Sequence, residues 1–189
     1  MKMLQAAGAL TMAMLACTAG SVFAQDEGKT EAATLASDSQ AALQNLTATV
    51  PLAAELTKTA VAILVFPSIT KAGLGIGGQY GEGALLKKGT AVAYYKNTGA
   101  SFGLQAGGQK YGYAMFFTSA SALEQLDKAN GFEVGVGPSV VVVDEGMGKS
   151  TTTKTLKDDV YAFIFSQKGL MAGLGLQGNK IKKITPKSK

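Results

Sequence analysis

With 189 residues, 47% of them hydrophobic and 16% charged, the chain can build one medium domain around a real core and is too apolar to be disordered throughout. All 18 basic residues are lysine, set against 13 acidic ones, and the chain has no histidine, no tryptophan and one cysteine. That removes the imidazole base or metal ligand and the guanidinium fork for phosphate or guanine, so the commonest catalytic, metal-binding and nucleic-acid-reading side chains are absent.

Met1 to Ala24 reads as a secretory signal: Lys2 supplies the positive start, Met3 to Ala16 is an apolar stretch, and Val22-Phe23-Ala24 offers small residues for cleavage. An alternative uses Cys17, because Met14-Leu15-Ala16-Cys17 is a loose lipobox that would make the mature protein a membrane-anchored lipoprotein. Either way the expectation is export, most simply to a periplasm. Cleavage after Ala24 removes the only thiol.

Residues 25–49 are expected to form a polar lead-in and a first helix, with Ala32, Leu35, Ala42, Leu43 and Leu46 on one side. Val50-Pro51 interrupts it, and a second short helix is predicted over Leu52 to Lys58. The period then changes. Val61 to Phe66 is a continuous apolar run of strand length, stopped by Pro67. Further strands are expected at Ala84 to Leu86, Val92 to Tyr95, Ser101 to Gly108 and Tyr111 to Thr118. Turns are placed at Gly81-Glu82-Gly83, Lys88-Gly89, Asn97-Thr98-Gly99 and Gln109-Lys110. Ser121-Ala122-Leu123-Glu124 has the capping-box pattern and predicts a helix over 122–129. Strands resume at Phe132 to Gly137 and Val140 to Val143. Val160 to Phe165 and Leu170 to Leu176 would form a hairpin, and Ile181 to Ile184 would end the sheet.

Four of these stretches carry glycine at alternate places: Gly73-Leu74-Gly75-Ile76-Gly77-Gly78, Gly103-Leu104-Gln105-Ala106-Gly107-Gly108, Gly135-Val136-Gly137 and Gly173-Leu174-Gly175. On a strand such a stretch has one bare face, suited to a bend or a close backbone contact. Gly73, Gly75, Gly77, Gly107, Gly137, Gly173 and Gly175 are therefore assigned to architecture. The fold class expected is α+β: N-terminal helices, then a strongly curved, mostly antiparallel, glycine-rich sheet or partly closed barrel with one inserted helix.

Several motifs imitate chemistry. Gly73-x-Gly75-x-x-Gly78 spells the dinucleotide fingerprint, but apolar alternation runs through it and no helix can open there. Gly148-Lys149-Ser150 resembles the end of a P-loop, yet Val143 stands where its first glycine belongs. Asp144-Glu145 and Asp158-Asp159 are sequence neighbours rather than opposed carboxylates, and no metal-binding spacing accompanies them. No cofactor, no metal and no catalytic activity are expected, and nucleic acid is not an expected partner. Lysines gather at Lys87-Lys88 and at Lys180, Lys182 and Lys183; they read either as a solvated basic edge or as a seat for anionic headgroups.

From Val50 onward the chain resembles the SYLF domain family. The resemblance lies in an ordered set of segments: Val61 to Phe66 with Lys71-Ala72-Gly73; Gly77-Gly78; Gly81 to Ala84; Gly103 with Gly107-Gly108-Gln109; Val136-Gly137-Pro138; and Phe165 to Gly173 ending in Leu176-Gln177-Gly178. It implies a SYLF-like domain over 50–189 that binds lipid, with eukaryotic relatives taking phosphoinositides and yeast relatives associating with actin. Asp26, Glu27, Glu31 and Asp38 in the N-terminal region repel an anionic bilayer, so actin and phosphoinositide binding are not expected of this chain. The expected partner is phospholipid or another amphiphile at a membrane surface; the alternative is a structural or protein-interaction module of the envelope. Lys71, Lys87, Lys88, Lys110 and Lys168, placed beside turns of the matching segments, are the candidate headgroup ligands.

Overall fold

The computed structural model describes residues 31–128, 132–133, 140–144, 158–169 and 179–186. The signal and lipidation readings, including Cys17, and Gly137, Gly173, Gly175 and the strand Leu170–Leu176 lie outside the described residues. Among the described residues three helices and six strands follow in order: α1 (Glu31–Thr49), α2 (Pro51–Thr59), β1 (Ala62–Lys87), β2 (Thr90–Phe117), α3 (Ala120–Leu126), β3 (Phe132–Glu133), β4 (Val140–Asp144), β5 (Val160–Gly169) and β6 (Asn179–Ile184). The class is α+β, with N-terminal helices followed by a curved mixed sheet that does not close.

One hairpin dominates. β1 has 26 residues and β2 has 28, paired antiparallel from Ala62↔Phe117 to Lys87↔Thr90. A straight strand of that length would run about 85 Å at the usual rise per residue, roughly twice the diameter of a compact domain of this size. The hairpin therefore has to fold over, and it does so at the first glycine stretch. The register slips between Leu74↔Ala106 and Ile76↔Phe102. At Gly73 a Cβ would stand 2.8 Å from Ile76 O and 2.9 Å from Gly77 N, so the bend has no room for a side chain there. Across the hairpin Gly107 takes φ +141°, a conformation that L side chains rarely adopt.

Beyond the bend the second half of β1 lies back on the first. A Cβ on Gly81 would stand 2.7 Å from Ile69 Cγ1 and 2.8 Å from Ser68 O, and one on Gly83 would overlap Val65 O and crowd the Phe66 ring. Ser39 of α1, fully buried, joins the two halves: its hydroxyl donates to Val65 O (3.2 Å) and accepts from the Ala84 N–H (3.2 Å). β2 is the spine. One edge carries β1; the other carries β6 along Tyr94–Gly99 and β5 along Gln109–Phe117. β3 extends the sheet beyond β6, and β4 beyond β5 as the parallel pair Val140↔Val160 to Asp144↔Ile164.

The sheet is covered on both faces, which is why Ile63–Phe66 and Met115–Phe117 are apolar without alternation. On the face that α3 covers, termed concave, Leu64, Phe66, Ile69, Tyr113, Met115, Phe117 and Ile164 pack with Ala122 and Leu126 of α3 and with Ile181. On the opposite face, termed convex, Ile63, Val65, Ala114, Phe116, Phe163 and Phe165 meet Leu46, Leu52 and Leu56 of the two N-terminal helices. Phe116 and Phe163 meet edge to face at 5.2 Å.

Four local expectations are corrected. Pro67 does not end a strand: it sits in the irregularity between Phe66 and Ile69, where the missing N–H costs the ladder nothing. Gly81–Gly83, Asn97–Gly99 and Gln109–Lys110 are strand rather than turn, and the hairpin turns only at Lys88-Gly89. Both turn residues there have positive φ (+50° and +80°), the type I′ geometry that suits the strand twist. The inserted helix starts earlier than 122 and ends before 129; Ser119 rather than Ser121 caps it, its Oγ accepting from the Ala122 N–H at 3.3 Å. The same Ser119 hydroxyl lies 2.9 Å from Asp159 Oδ1, which ties the cap to the start of β5.

Candidate functional site

Cross-strand partners share a face of a sheet, so the register arranges the lysines directly. On the convex face Lys110 of β2 stands opposite Lys168 of β5 and, on its other side, opposite Thr70 of β1. Further along the same face Lys96 of β2 stands opposite Lys182 of β6 and opposite Glu82 of β1; the next row is Tyr80, Thr98 and Lys180. Glu82 accepts a hydrogen bond from the Tyr80 hydroxyl, which raises that phenol to about 12. Among the described residues, Lys96, Lys110, Lys168, Lys180 and Lys182 make no ion pair. Two like-charged pairs thus face each other directly across neighbouring strands, an arrangement that costs free energy unless an anion lies over it. Ile76 (68% exposed) and Tyr80 stand uncovered on the same half of the hairpin.

Lys87 and Lys88 occupy the hairpin tip, which α1 holds through Gln40 Nε2 donating to Gly89 O at 2.7 Å. Lys71 goes elsewhere. It lies mid-strand, not beside a turn, and points to the concave face opposite Gln109, where it is 3% exposed. At the far end of the concave face Asp127 accepts from the Tyr95 hydroxyl (2.6 Å) and pairs with Lys183 (3.2 Å), so its carboxyl is held below the usual carboxylate range, first by the tyrosine and then by the lysine. Lys183 is thereby neutralised and differs from Lys180 and Lys182. No cluster of carboxylates or thiols able to hold a metal occurs among the described residues.

Residues 98–187 match the family model Ysc84, described as Las17-binding protein actin regulator. The match bears out the resemblance to the SYLF domain family over that stretch. The matched stretch begins inside β2 and runs through β6, so it contains Lys110, Lys168, Lys180 and Lys182 and leaves Lys71, Lys87, Lys88 and Lys96 before it. No curated protein matches the chain.

The five lysines named from sequence do not converge. Lys110 and Lys168 form one pair, Lys87 and Lys88 share the tip, and Lys71 is inside. Sequence reasoning missed Lys96, because Asn97-Thr98-Gly99 beside it imitates a turn. The signal that could have found it is the alternation Tyr94, Lys96, Thr98 matched by Lys180, Lys182, Ile184. Of the glycines chosen, Gly73 and Gly107 lie at the fold-over bend, and Gly77 is the residue whose backbone Gly73 abuts. Gly81, Gly83, Gly99 and Gly112, which were not chosen, also stand where a Cβ would collide; Phe165 lies flat over Gly112, its ring 2.5 Å from that Cβ position.

Proposed function

We propose that the chain is an exported, non-catalytic module that binds phospholipid or another amphiphile at the cell envelope through the convex face of its sheet. The observation that carries this reading is the pair of facing lysines Lys110/Lys168 together with the pair Lys96/Lys182, with Lys180 beside them and without ion-pair partners among the described residues. Lysines on a rigid surface beside exposed Tyr80 and Ile76 suit an interface that is anionic outside and apolar just beneath. Four tyrosines are held as neutral phenols at neutral pH, since Tyr80 and Tyr111 are pushed up to about 12 and burial pushes Tyr95 and Tyr113 further. The chain also has no histidine to activate a serine.

Co-sedimentation with phosphatidylglycerol vesicles at low salt, beside phosphatidylcholine vesicles, tests the reading. Each lysine near an anionic surface is worth about 1 kcal/mol, so K110A/K168A should weaken binding to the anionic vesicles roughly 30-fold. Binding to neither vesicle, or undiminished binding by the double variant, would overturn it. The family description names a protein partner, and that favours a second reading, an interaction module of the envelope without a lipid ligand. Lysine substitutions that leave vesicle association untouched would point to it.

A further inference from the structure

The concave face holds a set of buried polar side chains apart from the exposed Asp127–Lys183 pair at its far end. Lys71, Gln79, Asn97, Gln109 and Asn179 are all buried, with exposures of 3, 7, 0, 5 and 2%. They are continuous in space. Lys71 faces Gln109 across the β1–β2 ladder, and Tyr111 lies two residues beyond Gln109 on the same face. The Tyr111 hydroxyl donates to Gln79 Oε1 (3.1 Å), and Gln79 Nε2 donates to Asn97 Oδ1 (3.1 Å), which joins the two halves of the folded hairpin. Asn179 completes the set from β6, paired with Gly99. A Cβ on Gly99 would stand 2.6 Å from Asn179 Oδ1 and 3.1 Å from Gln79 Cγ, so the glycine makes room for the two amides.

The set has more donors than acceptors. Among the described residues Asn97 Nδ2 and Asn179 Nδ2 have no partner, and neither does the Tyr113 hydroxyl, whose proton burial keeps in place. Nor does any hydrogen bond or ion pair among those residues reach Lys71 Nζ. Gln109 Oε1 is the one acceptor left over among them. Buried donors without partners cost free energy, so this face is incomplete as it stands. An acceptor-rich, negatively charged group would complete it.

We propose that the concave face is a binding site for an anionic oxygen group, a carboxylate or a phosphate, with Lys71 as its counter-charge and the Asn97 and Asn179 amides as hydrogen-bond donors. The site lies on the face opposite the lysine pairs and uses none of them, so small-anion binding and vesicle binding can fail separately. Ordered water is the competing occupant of such orphaned amides. Water would not make the fold respond to an anion in a Lys71-dependent way.

The test is calorimetric melting of the mature protein with inorganic phosphate in one arm and decanoate in the other, for wild type, Lys71→Met and the surface control Lys58→Ala. The expected result is that at least one anion raises the wild-type and Lys58→Ala melting temperatures alike. A response to phosphate alone assigns a phosphate site, and a response to decanoate alone assigns a carboxylate amphiphile. Lys71→Met should melt close to the wild type without ligand, since methionine keeps most of the buried stem and removes the charge. Its affinity for the anion should fall at least about 30-fold, as expected when one partner of a buried charged contact is removed. If Lys71→Met does not fold, Asn179→Ala carries the same comparison through the loss of one donor. No response of the wild type to either anion, or a response that survives these substitutions, would overturn the proposal.

Discussion

Gly83 faces a backbone carbonyl, so a methyl group there has nothing flexible to push aside: its Cβ would overlap Val65 O. Gly108 is the contrast, exposed on the same hairpin, with the nearest atom to its Cβ position 4.0 Å away. Gly83→Ala should therefore destabilise the fold by about 2 kcal/mol or more, as overpacking against rigid structure does, whereas Gly108→Ala should stay within about 0.5 kcal/mol. Urea unfolding of the two variants checks this, and equal stability would mean that the halves of β1 do not touch there. At this scale sequence reasoning takes Gly81 and Gly83 for a turn, whereas both lie within β1. Gly81 and Gly83 look like turn residues because composition shows the missing side chain but not the neighbour that requires it to be missing.

Elements are joined in this fold by few polar contacts, and Ser39 is the clearest. Helix α1 touches both halves of β1 at this hydroxyl, which bonds the Val65 carbonyl and the Ala84 amide in the dry layer beneath Leu46 and Leu56. Ser39→Ala strands both backbone groups. The expected cost is about 2 kcal/mol, within the range for buried groups left unpaired, and hydrogen exchange at the Ala84 amide should speed up more than at amides in the β2–β5 ladder. Uniform exchange would instead make Ser39 a bystander. The helices themselves were legible. The apolar spacing from Ala32 to Leu46 and the break at Val50-Pro51 are local signals, and α1 and α2 stand where those signals put them. Strand boundaries were not legible, since Pro67, Gly81–Gly83 and Asn97–Gly99 carry breaker chemistry that bulges and close packing absorb.

The whole molecule encloses phenols in a sheet covered on both sides, and this fixes a dependence on pH. Burial raises Tyr111 to about 12 despite the opposing hydrogen bond to Gln79, and it raises Tyr95 and Tyr113 still further. In the unfolded chain these groups ionise near pH 10. Their folded pKa values are raised, so the stability they contribute is fully present below about pH 10 and is lost as pH rises through the folded values. Alkaline titration should show tyrosinate absorbance and loss of circular dichroism together above about pH 10. Ionisation of most tyrosines well before unfolding would contradict the buried placement. Asp127 acts at the other end of the scale. Its lowered pKa makes a contribution that is present above the unfolded value and lost as pH falls through the folded one, and it is small because the carboxylate is half exposed.

Sequence by itself determined the class, helices before a glycine-rich sheet, because period and composition are local properties of the chain. It also led, through the order of short segments, to the SYLF resemblance that the match over residues 98–187 supports. Only the tertiary structure decided that β1 and β2 each run unbroken through several expected strands, that Lys96 joins Lys182 and Lys110 joins Lys168 while Lys71 turns inward, and which glycines are held by collision. The physical reason is register. A strand's faces alternate residue by residue, so the bulges near Phe66 and Leu85 each reassign the residues beyond them to a face, and no local pattern reports a slip.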